Sequence, residues 1–195
     1  MKSPLRSRGY LPHLESKIPV YFVTFRLVDS LPIEILDQLR SKREAIERAS
    51  LANASVAADR IRAQKLRETI QKAERFLDGG HGNCFMLDPQ VARIVADAIR
   101  HFDGQRYRLL AWCIMPNHVH VVFSPLAEHK LQSILHSWKS FSAKQANLLL
   151  GRTGHFWKRE YFDHLVRSEG SLAKIIDYVK RNPERAGLKD WPWMS

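Results

Sequence analysis

The chain has 195 residues, 31 Lys and Arg against 20 Asp and Glu, a formal net charge of +11 and 45% apolar residues. That is enough for one domain with a real core, and too basic for a protein without an acidic partner, so a polyanion such as nucleic acid is expected. No apolar run approaches the roughly 20 residues a membrane span needs, no secretory leader is read in the basic N-terminus, and two distant cysteines exclude a disulfide framework or zinc ribbon. A cytoplasmic setting is the expectation.

Residues 1–19 read as an irregular basic arm carrying Arg6, Arg8 and Lys17. VYFVTFRLV (20–28) is dense in β-branched and aromatic residues and predicts a strand. Charged residues dominate 33–77, with Leu66, Ile70, Ala73 and Leu77 at helical spacing, so this stretch predicts an inserted helical hairpin. DGGHGN (78–83) reads as a turn. Asp88-Pro89 then opens a helix, with a capping side chain followed by proline in the first turn.

RYRLLAWCIM (106–115) and HVHVVF (118–123) predict two antiparallel strands linked by Pro116-Asn117. A helix over 130–150 shows Leu131, Ile134, Leu135, Trp138 and Phe141 on one face. HFWKREYFDHLVR (155–167) predicts a fourth strand. A last helix spans 169–181, closed by Asn182-Pro183. This order gives an α+β fold: a ferredoxin-like antiparallel sheet with helices on one face, the hairpin inserted at 33–77, and a separate C-terminal helix. The whole of 1–195 reads as one domain.

Strand residues alternate between faces, so His118 and His120 share one face and Val119, Val121 and Phe123 the other. Two imidazoles about 7 Å apart along a strand suit a divalent ion, but HxH alone leaves partly exposed sheet histidines as the plain alternative. On the last helix Leu172, Ile175, Ile176 and Val179 form the apolar stripe. Tyr178 and Asn182 lie beside it, four residues apart, with Lys174 one turn earlier. A carboxamide oxygen is a competent hard ligand and a phenol a potential nucleophile. Read alone, Tyr178 is a half-buried boundary residue and Asn182 a helix-end residue before proline.

Taken together, MPNHVHVVF and FWKREYFDHLVRSEGSLAKIIDYVKRNPERAGL resemble the REP-associated tyrosine transposases, single-tyrosine members of the HUH endonucleases. The resemblance implies that His118, His120 and Asn182 hold a divalent ion, Mg²⁺ or Mn²⁺, and that Tyr178 is the catalytic nucleophile. It implies a metal-dependent single-stranded DNA endonuclease and strand transferase, acting at hairpin-forming repeats as monomer or homodimer. A non-catalytic hairpin-binding regulator on the same fold is the alternative. Single-stranded DNA needs basic walls and stacking platforms, for which Trp157, Lys158, Arg159 and Lys174 are candidates, joined by Arg6 and Arg8 of the arm. Gly170 departs from the pattern by loosening the expected helix cap.

Overall fold

The computed structural model describes residues 18–32, 35, 37, 41, 68 and 72–195 in full, and the backbone of 5–8 and 11–14. They fall into two compact units, Met1–Val28 with Phe85–Ser195, and Asp29–Cys84. The second unit brackets the predicted hairpin, most of which lies outside the described residues. Residues 72–78 are helical there, and Leu31, Ile35 and Leu77 form a small apolar cluster. Within this unit the backbone of Gly82 lies against Asp29, where a Cβ would approach the Asp29 carbonyl oxygen to 2.6 Å, and its φ is +85°. The glycine in GGHG is thus required by a close backbone approach.

The larger unit begins with β1 (Leu5–Arg8) and β2 (Leu11–Leu14), an antiparallel pair, where the sequence predicts an irregular arm. The side chains of Arg6 and Arg8 lie outside the described residues. A four-stranded antiparallel sheet follows, built from β3 (Val20–Arg26), β4 (Tyr107–Ile114), β5 (His118–Pro125) and β6 (Phe162–Val166) in the order β4-β5-β3-β6. This is the split βαβ arrangement of a ferredoxin-like sandwich, as the order of predicted elements requires.

Helices α1 (Pro89–Arg100) and α2 (Leu131–Leu149) cover one face. Val91, Val95 and Ile99 of α1 and Ile134, Leu135 and Trp138 of α2 meet Val23, Phe25, Val119, Val121 and Phe123 of the sheet. Asp88 caps α1 by accepting from the Gln90 amide at 2.8 Å, as Asp-Pro predicts. Phe141, placed by the helical period on the apolar face of α2, is instead 52% exposed. Ser142 takes the buried position, donating to the Trp138 carbonyl at 2.6 Å and accepting from Trp157 Nε1 at 2.9 Å.

At the centre of this core the Tyr107 hydroxyl donates to the Ile99 carbonyl at 2.6 Å and accepts from Trp138 Nε1 at 2.8 Å. Removing it strands two buried groups. Tyr107→Phe is therefore expected to cost about 1–3 kcal/mol, read from urea unfolding.

β4 carries a bulge between Leu109 and Ala111. Tyr107 and Leu109 face the α1–α2 core before it, while Trp112 and Ile114 face that core after it, so the extra residue reverses odd and even. Helix α3 (Glu169–Arg185) packs on the opposite face through Leu172, Ile176 and Val179, against Val20, Phe22, Cys113 and Val122. Ser168 caps it, accepting from the Ser171 amide at 3.2 Å, so Gly170 leaves the cap intact.

The sequence reading ends α3 at 181, but the helix continues through Pro183 to Arg185. The Ala186 and Leu188 amides donate to Asn182 and Pro183 carbonyls, which closes the last turn although Pro183 itself offers no N–H. The chain then turns back to β4. The Ile114 amide donates to the Trp193 carbonyl at 2.8 Å, the Ser195 amide to the Trp112 carbonyl at 3.0 Å, and Trp191 Nε1 to the Ile114 carbonyl at 2.6 Å.

Candidate metal and nucleophile site

The α3 face of the sheet carries Phe22, Thr24 and Arg26 from β3 opposite Val122, His120 and His118 from β5. Both histidines are completely buried. They turn toward one another: His118 Nε2 and His120 Nε2 lie 3.0 Å apart, although their strand positions differ by two residues. Each ring is held from behind. His118 Nδ1 is 2.7 Å from Asn117 Oδ1, and His120 Nδ1 is 2.8 Å from Thr24 Oγ1.

These bonds fix the proton positions. Asn117 Oδ1 can only accept, so His118 carries its proton on Nδ1 and presents a bare Nε2. Thr24 Oγ1 bonds His120 Nδ1 as donor or acceptor, according to which ring nitrogen of His120 carries the proton. For both Nε2 lone pairs to face one cation, the His120 proton must sit on Nδ1 and the Thr24 hydroxyl must accept it. Threonine supports both states because its hydroxyl donates and accepts.

Burial holds both imidazoles neutral. It pushes His118 well below the ordinary histidine value, with the neighbouring His120 adding to the effect, and pushes His120 down to about 3. The unfolded chain therefore binds more protons than the folded one below about pH 6.5, and stability falls as pH falls through that value. Urea melts in chelator from pH 7.5 to 5 are expected to lose about 1 kcal/mol per pH unit for each imidazole below pH 6.5. A His118→Asn, His120→Asn protein should show a flatter profile.

From α3, Tyr178 brings its ring to 5.4 Å from the His120 ring, centroid to centroid, and to 6.1 Å from Phe22, edge-on to the latter. The Arg185 guanidinium lies 5.7 Å from the Tyr178 ring centre. Asn182, one turn on, is buried, and among the described residues neither side-chain amide atom has a hydrogen-bond partner. A buried carboxamide left unbonded is costly and points to a ligand.

The donor set fits a small hard cation. Two neutral imidazole nitrogens 3.0 Å apart match neighbouring positions of an octahedron with bonds of about 2.1 Å, and the Asn182 oxygen is a further donor of the right kind.

The other predicted residues scatter. Lys174 is exposed on α3, one turn before Tyr178. Trp157 is 6% exposed, packed edge-on against Phe25 and bonded to Ser142, so its ring belongs to the α1–α2 core and offers no stacking face. The strand predicted over 155–167 is confined to Phe162–Val166, and a single bridge joins Trp157 to Leu27. Lys158 is half-buried and Arg159 exposed, and both carbonyls accept from Lys139 Nζ at 2.8 Å. Sequence reasoning missed Thr24 and Asn117. A lone threonine inside VYFVTF and an asparagine directly before the first histidine were the available signals.

The family profile described as "Transposase IS200 like" matches residues 86–182, from the turn before α1 to Asn182. A ferredoxin-like sheet with paired histidines facing a tyrosine helix, matched by that profile, places this chain in the IS200-like transposase family. Within it, the curated relatives are REP-associated tyrosine transposases. One, of Haemophilus influenzae, is 28% identical over 46% of this chain and 58% of its own length. Another, of Escherichia coli K12, is 23% identical over 46% of this chain and 54% of its own. The chain thus spans a little over half the length of the curated relatives it matches. A solved structure of a REP-associated tyrosine transposase bound to a REP hairpin superposes with a TM-score of 0.50 at 16% identity, covering 97% of this chain and 81% of that one, and supports the fold. The family and fold expected from the two motifs are borne out. Among the described residues no helix is long and apolar enough to cross a membrane.

Proposed function

We propose that this chain is a metal-dependent endonuclease and strand transferase acting on single-stranded DNA at hairpin-forming repeats. One observation carries the reading: two buried neutral imidazoles converge to 3.0 Å on the sheet face where Tyr178 packs. Imidazoles meeting at their Nε2 atoms, oriented from behind by Asn117 and Thr24, have the form of a metal site more than of a core packing solution.

His118, His120 and Asn182 would hold the ion, Mg²⁺ or Mn²⁺. When bound, it would polarise the scissile phosphate and offset the charge that builds there. Tyr178 supplies the nucleophile. Its phenol oxygen bonds to phosphorus, the bond from phosphorus to the 3′ oxygen breaks, the phenolic proton leaves, and the 3′ oxygen is protonated as a hydroxyl. The product is a 5′-phosphotyrosine, which preserves a phosphodiester for later joining to another 3′-hydroxyl. A free tyrosine has a pKa of about 10, so the attacking phenol needs a positive neighbour, from the ion or from Lys174.

The basic surface fits the substrate. From Lys130 to Ser195 there are 12 Lys and Arg against 6 Asp and Glu, and Lys158, Arg159 and Lys174 would meet phosphates beyond the cut. We read the stretch 33–77 as an insertion into a single domain. The test is a labelled hairpin with single-stranded flanks, incubated with protein and Mn²⁺ and run on a denaturing gel. A covalent protein–DNA band that a chelator removes is expected. A protein that retards the hairpin on a native gel and forms no such band would be the non-catalytic regulator instead.

A further inference from the structure

Arg26 plays no part in the site as built so far, yet the sheet delivers it there. It is the last residue of β3, on the α3 face, and its register partner in β5 is His118. Opposed residues of an antiparallel pair have Cβ atoms about 5 Å apart, so the arginine stem rises beside the imidazole that closes the histidine pair. The side chain is only partly exposed. On its other flank Glu160 attracts it, but Glu160 also feels Lys139 and Lys158. Glu160 is held below the ordinary carboxylate range, chiefly by a backbone hydrogen bond, with these cations contributing.

An arginine partly withdrawn from water, its stem opposite a buried imidazole, suits an anion with paired oxygens. We infer that Arg26 grips the phosphate that Tyr178 attacks, its N–H groups donating to the non-bridging oxygens. This rests on the proposed function. Arg26 would add hydrogen bonds to the group on which charge builds, from the β3 side, while the histidines meet it from β5 and the phenol from α3. Lys158, whose amide donates to the Arg26 carbonyl at 2.9 Å, would take a neighbouring phosphate.

The test uses the full chain and a hairpin whose cut position has been mapped with the unaltered protein. Affinity is measured in the non-cutting Tyr178→Phe background with Mn²⁺ present, for the natural hairpin and for one whose scissile phosphate is a neutral methylphosphonate. Removing that charge should weaken binding about tenfold more when Arg26 is present than in the Arg26→Ala protein, where the ion alone still senses it. With Tyr178 intact, Arg26→Ala should slow adduct formation roughly 10- to 100-fold through kcat, and Arg26→Lys should recover only part, lacking the fork.

Equal methylphosphonate penalties with and without Arg26 would overturn the inference. So would loss of Mn²⁺ binding in Arg26→Ala, which would mean that the arginine merely supports the histidine pair. If the unaltered protein forms no adduct, the nuclease reading itself falls. An adduct that Arg26→Ala leaves at full rate removes the arginine alone.

Discussion

Tyr178→Phe should erase the covalent protein–DNA band, a loss of at least about 10³-fold, while the protein stays folded and still retards the hairpin. The substitution removes one oxygen and keeps the ring. The ring is what packs against Phe22 and His120, so a stability change of no more than about 1 kcal/mol is expected by thermal melting. No other phenol of the described residues is positioned to substitute. Tyr161 lies beside Lys139 at 5.7 Å, and burial, helped by Asp163, pushes its pKa up. Tyr107 is buried in the α1–α2 core and already donates to Ile99. Tyr21 pairs in register with Phe123 and packs on the same α1–α2 side. A covalent band that survives in Tyr178→Phe would assign the chemistry to another residue and end the proposal.

His120→Asn should lose Mn²⁺ affinity by about 10²-fold or more in isothermal titration, and adduct formation with it. Both rings are neutral and aimed at one point, so removing one takes away half of the converging pair on which a labile hard cation would depend. The partner behind the ring grades the effect. Thr24→Val keeps the imidazole and deletes the hydroxyl that must accept from Nδ1 once both Nε2 lone pairs are engaged. That change should cost about 10- to 100-fold in affinity. Titration curves that do not move with His120→Asn would show that the converging imidazoles are only a hydrogen-bonded core pair.

The histidine pair was legible in the sequence because strand alternation is local: HVH puts two imidazoles on one face whatever else the chain does. Tyr178 and Asn182 were legible for the same reason, a helical offset of four. What escaped depends on register. Thr24 meets His120 and Arg26 meets His118 only because β3 and β5 pair with one particular alignment, 96 and 92 residues apart along the chain, which no window of sequence records. Trp157 was misjudged because WKREY shows an aromatic among charges, and composition does not reveal that Ser142, across the core on α2, waits to accept its N–H. The proline at 183 reads as a helix stop. Yet Pro183 lies near the C-terminal end of α3, and the carbonyls of Asn182 and Pro183 still find amide partners in the turn that follows.

The route of the chain around α3 bears on how the phenol is carried. The helix departs from β6 at one margin of the sheet, and the residues after it return to lie along β4 at the other. Its bearer is therefore slung between opposite banks, moored at each. A displacement of the whole helix away from the imidazoles would strain the strap at Trp191–Ser195, whose release would expose a bare strand edge to water and to other chains. Positional drift of this phenol is thereby tied to the integrity of a border more than a dozen residues downstream.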